Sequence, residues 1–518
     1  RNCSSLEIAY YGGTSDGEWN RITIGVSNDS LTSDKVRYYS EEVPETQNTH
    51  WHYVNGVPKV WNVSPDDFDF EPIKTIGFAI NAYAVTGYKG TDTNITIPSS
   101  YKNKPVTEVG SRTTPEGDSP SFNYGTATNI TIPKSVTKIN SKAFCGTSSN
   151  TSAIESITFA ANSGLETIES DAFKYCKLLN NITIPSNVIT IGDRAFQFCS
   201  NLVSATFEEG SQLATIGEYA FNNCSNLVSV TFPAESKLKT IGKYAFGVCT
   251  KLTGFEIPKD VTTIGEYAFN NCSNLTSITL PENLTKIENN TFYCCFNLNN
   301  ITIPSGVKEI GEYAFQQCRF SSIKLPDNLE KIGRYAFYYC RSLNKIIIPE
   351  KVTEIGSYAF CNCTNLNNVT IPSSVKTLGT HAFYECTNLI DVTFKEGSQI
   401  TKINNYTFQG CSKLTSITIP KSVTTIGMYA LAKCPNLTDV RFEKGSTLKT
   451  IDSYVFQDST ALKRVEIPGT VTSIGLNAFN NCNSIGIVYY GGTEPNQWKN
   501  ISIKATGNTI LTEDKVYY

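Results

Sequence analysis

Apolar and polar residues alternate along this chain in short runs that return at a fixed interval. In Leu275-Thr276-Ser277-Ile278-Thr279-Leu280, the residues Leu275, Ile278 and Leu280 are expected to face inward and Ser277 and Thr279 outward. Alternation of this kind marks a half-buried strand. Pro281 follows and ends it, because proline has no N–H to give to a ladder. A second short extended piece, Leu-Thr-Lys-Ile, spans 284–287. The run Ala-Phe-Asn-Asn-Cys at 268–272 predicts a tight turn or one helical turn, with Ala allowing close approach and Phe filling the core. That Phe recurs at Phe144, Phe173, Phe196, Phe221, Phe246, Phe269, Phe292, Phe315, Phe337, Phe360, Phe383, Phe408, Phe456 and Phe479, with Leu431 in one slot. Most steps are 22, 23 or 25 residues.

A fixed period of this size means stacked units, none of which can bury its apolar side alone. The expected fold is therefore a repeat solenoid of about 16 rungs, with a parallel strand ladder and short helical or 3-10 turns. Two flavours of unit alternate irregularly. The short one reads Ile-Pro, as at Ile303-Pro304; the longer one carries Phe…Ser-x-Leu, as at 207–213, 232–238 and 442–448, with an Ile-ended form at 394–400. Residues 76–482 form the solenoid, and irregular first repeats at 76–128 are read as a cap.

The flanks carry a second level of repetition. Tyr10-Tyr11-Gly12-Gly13-Thr14 returns as Tyr489-Tyr490-Gly491-Gly492-Thr493, and Trp19 as Trp498, at an offset of 479 that later becomes 480. Residues 483–518 read as a closing segment. Residues 1–39 then read as a half repeat plus the closing segment of a preceding array, and tandem blocks of roughly 480 residues are the expectation. A half repeat at Arg1 would leave a strand edge that a second chain could pair. Residues 40–75 read as a linker, with Trp51, Tyr53, Val57, Val60 and Trp61 placed for a small hairpin around Asn55-Gly56.

The motif Cys-x-x-Leu-x-x-Ile-x-Ile-Pro…Ile-Gly-x-x-Ala-Phe, seen over 272–292 and in its neighbours, resembles the Treponema-type, or BspA-like, leucine-rich repeat. The resemblance runs from about Ile95 to Cys482, and many copies agree on Cys, Pro, Gly and Ala-Phe together. It implies a secreted or cell-surface protein. Several members of that family are adhesins for host matrix proteins or other cells, and the family has no shared catalytic residue or cofactor to carry over.

Charge and composition narrow the options further. The net charge is −3 with 18% charged residues, so the chain lacks the basic balance of a nucleic-acid binder. No apolar run approaches membrane-spanning length. With three His and one Met, the vocabulary for catalysis is thin, and no Ser–His–acid set, phosphate loop or metalloprotease motif is present. His50 and His52 flank Trp51 without a further ligand nearby, and Asp66, Asp67 and Asp69 lack the glycine of a calcium loop. These are read as ordinary loop residues. The 17 Cys are not read as a disulfide framework. Twelve of them, from Cys176 to Cys434, hold one slot three residues after the marker, and are expected to be reduced, buried core fillers. Cys294-Cys295 and Cys361/Cys363 are the exceptions worth testing for oxidation. The Asn-x-Ser/Thr triplets are a by-product of the repeat.

The outward strand columns are mostly Thr, Ser and Asn. An unbroken Thr column could order ice or bind a sugar polymer, but Thr is also simply a good exposed strand residue. The columns change character at Lys324, Lys345 and Ile347, at Asp391, and at Asp439, Arg441, Arg464 and Glu466. Broken regularity favours a protein-binding face, and these eight residues are the candidates for contact. The reading is a non-enzymatic extracellular adhesion or recognition solenoid binding a protein. The alternatives are a structural block of a stalk or self-assembling filament and, more weakly, carbohydrate or ice binding.

Overall fold

The computed structural model describes residues 9–11, 36–39, 50–54, 57–60, 64–74, 79–113, 119–493, 495–511 and 516–517. The chain divides into two compact units, Arg1–Leu238 and Lys239–Tyr518, a boundary with no counterpart in the repeat pattern. Each unit is a parallel β-solenoid, and about 18 turns are counted over the two.

A turn of the solenoid has three sides. The first is the alternating strand: Ser277–Thr279 pairs in parallel with Gly254–Glu256 and Asn300–Thr302, and Ile278 is buried while Ser277 and Thr279 are exposed. The second is the two-residue strand, such as Lys331–Ile332 between Glu309–Ile310 and Glu354–Ile355. The third side holds the marker Phe, and it is neither helix nor strand. Phe337 N–H donates to Ala359 O (2.8 Å), Tyr335 N–H to Ser357 O (2.9 Å) and Tyr339 N–H to Cys361 O (2.9 Å), all in the next turn. The alternate amides close locally: Ala336 onto Gly333 O, Tyr338 onto Tyr335 O, Cys340 onto Phe337 O. In a helix every N–H would point back along its own chain. Sending every second one forward requires left-handed residues, here Tyr335 (φ 56°) and Tyr339 (φ 58°), and the same two slots are left-handed in most turns. Each such non-glycine residue costs about 1–2 kcal/mol. Of the two alternatives for the Ala-Phe segments, the tight turn is the one formed, as paired turns, and the helical or 3-10 turn is not. Among the described residues the helices are the 3-10 turn Pro65–Asp67 and the short helix Pro495–Lys499.

The interior repeats side chains in register. Phe144, Phe173, Phe196 and Phe221 stack at 5.0–5.2 Å in the first unit. Phe246 through Phe408 stack at 5.2–5.8 Å in the second. Leu431 interrupts the stack, fully buried.

The Cys column is buried as expected, but its residues are more than apolar filler. Cys340 Sγ–H donates to Phe315 O at 3.0 Å, Cys363 to Phe337 O at 3.2 Å and Cys386 to Phe360 O at 3.2 Å. Each thiol thus reaches the marker carbonyl of the preceding turn. Ser459 stands in the slot once and makes the same bond, to Leu431 O at 3.0 Å. Burial pushes the Cys272 and Cys434 thiols up to about 12, and such thiols are poor nucleophiles. Cys294, Cys295, Cys361 and Cys363 are buried thiols without a disulfide. The donor role predicts that Cys340→Ser, which keeps an O–H at that position, lowers stability by about 1 kcal/mol, whereas Cys340→Leu, which overpacks a filled column, costs about 1–3 kcal/mol. Chemical denaturation of both variants checks this ordering.

The second half of the stretch read as linker carries a helical turn and a strand of the solenoid's first sheet. Ser64 caps Pro65–Asp67, and Asp67 returns a bond to the Ser64 N–H at 2.7 Å. Phe68–Lys74 then pairs antiparallel with Ile80–Tyr88, which itself pairs in parallel with Lys104–Val109. Phe70 stacks on Tyr101 at 4.0 Å, and Phe68 packs on Tyr88. Asp69 is ion-paired with Lys89. Asp67 and Asp69 therefore serve the cap, and no metal-ligating cluster occurs among the described residues.

At the other end Trp498 is buried against Tyr490 (5.3 Å). Asn508 acts as a substitute turn: its Oδ1 accepts from Phe479 N–H (3.0 Å) and its Nδ2 donates to Gly475 O (2.7 Å). The flanking repetition extends to the backbone. Val488 pairs with Val516 in parallel, and Ala9 pairs with Val36 in parallel, at equivalent sequence positions. The expected hairpin is present as His50–Val54 antiparallel to Val57–Val60, with Trp51 opposite Val60. Its Asn55-Gly56 turn, Cys3, Trp61 and the start of the chain lie outside the described residues, as do the side chains of His50 and His52.

Candidate functional site

The eight candidate side chains all belong to the second unit. They stand on the exposed face of one parallel sheet that runs from Ser322–Ile323 through Lys345–Ile346, Asn368–Ile371, Asp391–Phe394, Ser416–Ile419, Asp439–Phe442, Arg464–Ile467 and Ile487–Tyr490 to Val516–Tyr517. Parallel register places Ser322 beside Lys345 and Lys345 beside Asn368. The background residues Thr279, Thr302, Thr370 and Thr393 are exposed.

The eight candidates fall into two groups of three and two single residues. Lys324, Lys345 and Ile347 are neighbours on adjacent turns. Lys345 and Ile347 line a concavity of about 660 Å³ with Asn344, Asn367, Asn368 and Thr370. Ile347 is 69% exposed. At its rim Lys395 is ion-paired with Glu350. Asp391 is turned to its own strand and accepts from Thr393 Oγ1 at 2.7 Å. Asp439, Arg441 and Arg464 form a closed set: Asp439 Oδ2 is 2.6 Å from Arg441 Nε and 2.9 Å from Arg464 Nη2. Burial alone would raise the Asp439 carboxyl, but the two guanidiniums win and hold it below the usual range. Glu466 stands beside Tyr489 in the register. Lys324, Lys345 and Ile347 are adjacent in the register, whereas the second charged cluster satisfies itself.

The sequence reading stopped two strands short. Ile487, Tyr489 and Tyr517 continue the exposed face at 37%, 41% and 56% exposure. With Lys463, Arg464, Ser484 and Gly486, the first two of these line a second concavity of about 440 Å³. The signal was present in the sequence, since the outward columns extend into the closing segment.

A half-exposed aromatic ladder follows the left-handed slot: Tyr313, Tyr335, Tyr358, His381, Tyr406, Tyr429 and Tyr454 stack at 4.2–5.0 Å. Within the ladder the ring faces are covered by one another, and this stacking offsets backbone strain. His381 is the one imidazole in it. Burial holds its pKa below the usual value, and its buried Nδ1 has no partner. A depressed histidine favours folding of the neutral form. Its contribution is present above about pH 6.5, the unfolded value, and is lost as pH falls through the folded value. His381→Tyr is therefore expected to shrink the loss of thermal stability between pH 7.5 and pH 5, measured against the wild-type chain.

The sequence family described as "BspA type Leucine rich repeat region (6 copies)" matches residues 118–238, 209–320, 308–400 and 397–494. The chain belongs to this BspA-type leucine-rich repeat family. Among solved structures, a leucine-rich repeat protein from Bacteroides ovatus shares the fold: identity is 23% and the TM-score 0.54, over 86% of this chain and 98% of that one. A leucine rich cell surface protein from Faecalibacterium prausnitzii aligns at 25% identity and TM-score 0.38, over 85% and 97%. The pneumococcal vaccine antigen PcpA aligns at 22% identity and TM-score 0.42, over 86% and 96%. No curated protein sequence matches. BspA-type repeat solenoids are in general binding scaffolds, built to present an extended surface. Among the described residues no helix is long and apolar enough to cross a membrane.

Proposed function

We propose that this chain is a non-enzymatic recognition solenoid, secreted or held at a cell surface, that binds a protein partner through the exposed face of the Ser322–Tyr517 sheet. One observation carries the reading. On a face whose background is Thr, Ser and Asn, the exposed apolar residues gather at two concavities, around Ile347 and around Ile487 with Tyr489. Exposed apolar side chains rimmed by polar ones are the usual mark of a protein contact. A regular Thr face alone would suit a repetitive ligand; these departures interrupt the regularity. Family membership supports the extracellular setting, and adhesion to another cell or to matrix is the specific form proposed.

The test is a binding screen of the purified chain against extracellular proteins and glycans on one array. Saturable binding to a protein is expected. Saturable binding to glycans alone, or hydrolytic turnover by the purified chain, would overturn the reading.

A further inference from the structure

The surface around Ile347 carries two neighbouring lysines without an ion pair. Lys324 and Lys345 are both exposed, and neither has a carboxylate within ion-pair distance among the described residues. Of the other charged groups, Lys395 is paired with Glu350, and Asp439 with Arg441 and Arg464, while Asp391, two turns from Lys345 in the same column, accepts from Thr393 Oγ1. Ser322 pairs with Lys345 and Ile323 with Ile346, so Lys324 stands beside Ile347 one residue further on. Neighbouring parallel strands are about 4.8 Å apart, which puts the two lysines on a diagonal of about 8 Å with Ile347 at its corner. Ile347 is the most exposed of the large apolar side chains described.

We propose that Lys324, Lys345 and Ile347 form a docking site for an acidic, extended segment of a partner protein that carries an apolar side chain. This rests on the recognition reading above. Two ammonium groups beside an apolar surface are complementary to two carboxylates on one side of an extended segment with an apolar residue two positions further along that same side. In an extended segment, residues two apart project from the same side about 6.8 Å apart, close to the lysine diagonal. The strand Lys345–Ile346 is already hydrogen-bonded on both sides. The partner therefore lies across side chains and adds no strand. Asn344, Asn367 and Asn368 border the site and supply donors and acceptors for its backbone.

The experiment uses the full chain and a fluorescein-labelled peptide of three Glu-Asp pairs, one Phe and three Asp-Glu pairs, read by fluorescence anisotropy at low and moderate salt. Three substitutions restore what adjacent turns carry: Lys324→Thr (as Thr302), Lys345→Asn (as Asn368) and Ile347→Thr (as Thr370). Unchanged melting curves verify that the variants fold. Expected are saturable binding that weakens with salt, a loss of about fivefold or more for Ile347→Thr, and about tenfold or more for the double lysine variant. Replacing the peptide's Phe by Ser matches the Ile347→Thr loss. No saturable binding, or equal binding by all variants, overturns the proposal. So does a loss in the lysine variant with none in Ile347→Thr, because charge alone would then suffice and any polyanion, nucleic acid included, would serve. If an array protein binds the chain while the peptide result is negative, the recognition reading stands and this site assignment falls.

Discussion

Replacing Phe337 by Ala is expected to lower stability by about 3–5 kcal/mol. Phe337 is fully buried and stacks on Phe315 at 5.5 Å and on Phe360 at 5.2 Å. Removing the ring takes a contact from two turns at once and leaves a void that flanking backbone cannot fill. Phe337 N–H is tied forward to Ala359 and Phe315 N–H to Ala336, so neither turn can close in alone. Stability in a solenoid is a sum of nearest-neighbour terms. The loss should therefore appear as an earlier or a split transition in denaturant, with the break at the third side of that turn. Phe337→Leu is the control. Leu431 already holds the same slot, fully buried, and a shape change of that size costs under about 1.5 kcal/mol. A Phe337→Ala loss below about 1 kcal/mol would mean that the stack is incidental to the fold.

The second large effect is at Gly379. A Cβ there would overlap Ser357 N and lie 2.5 Å from the Gly356 carbonyl carbon and 2.6 Å from Ser357 Cα. All three are backbone atoms of the preceding turn. Gly379 N–H also donates to Ile355 O at 2.8 Å, which fixes the separation. Gly379→Ala should cost about 2–3 kcal/mol. Gly445 is the contrast: it is left-handed (φ 81°), and nothing lies within 4 Å of where its Cβ would stand. Gly445→Ala should cost only the backbone preference, about 1 kcal/mol. The order of the two midpoints in urea separates a close approach from a conformational requirement. The constraint is set turn by turn, since Asn404 stands in the Gly379 slot one turn on and its amide donates to Leu378 O.

The two ladders, the Phe stack and the Cys slot were legible because each depends on one residue type recurring in register. The third side was not. Gly-x-Tyr-Ala-Phe looks like the start of a helical turn, and Tyr carries no propensity signal for a left-handed backbone. What imposes it is a set of hydrogen bonds to the next turn, which local sequence does not encode. The cap at Phe68–Lys74 was missed for a different reason. Pro72 and the alternating acidic residues argue against a strand, yet this is an edge strand, where a missing donor is tolerated. At the candidate site the columns gave Lys324, Lys345 and Ile347 their adjacency. They did not say that Arg441 and Arg464 would both close on Asp439, because that depends on which way three long side chains turn.

Recognition, in this proposal, resides in the departures from the repeat and not in the repeat itself. The direct measurement compares the wild-type chain with one in which Lys324, Lys345, Ile347, Ile487 and Tyr489 are set to the Thr, Ser or Asn of the repeat background. Both are passed over the same immobilised extracellular proteins by surface plasmon resonance, after circular dichroism has shown equal folding. The predicted result is a protein partner bound saturably by the wild-type chain and lost by the reverted one. A partner held equally by both, or no protein partner for the wild-type chain, would contradict it.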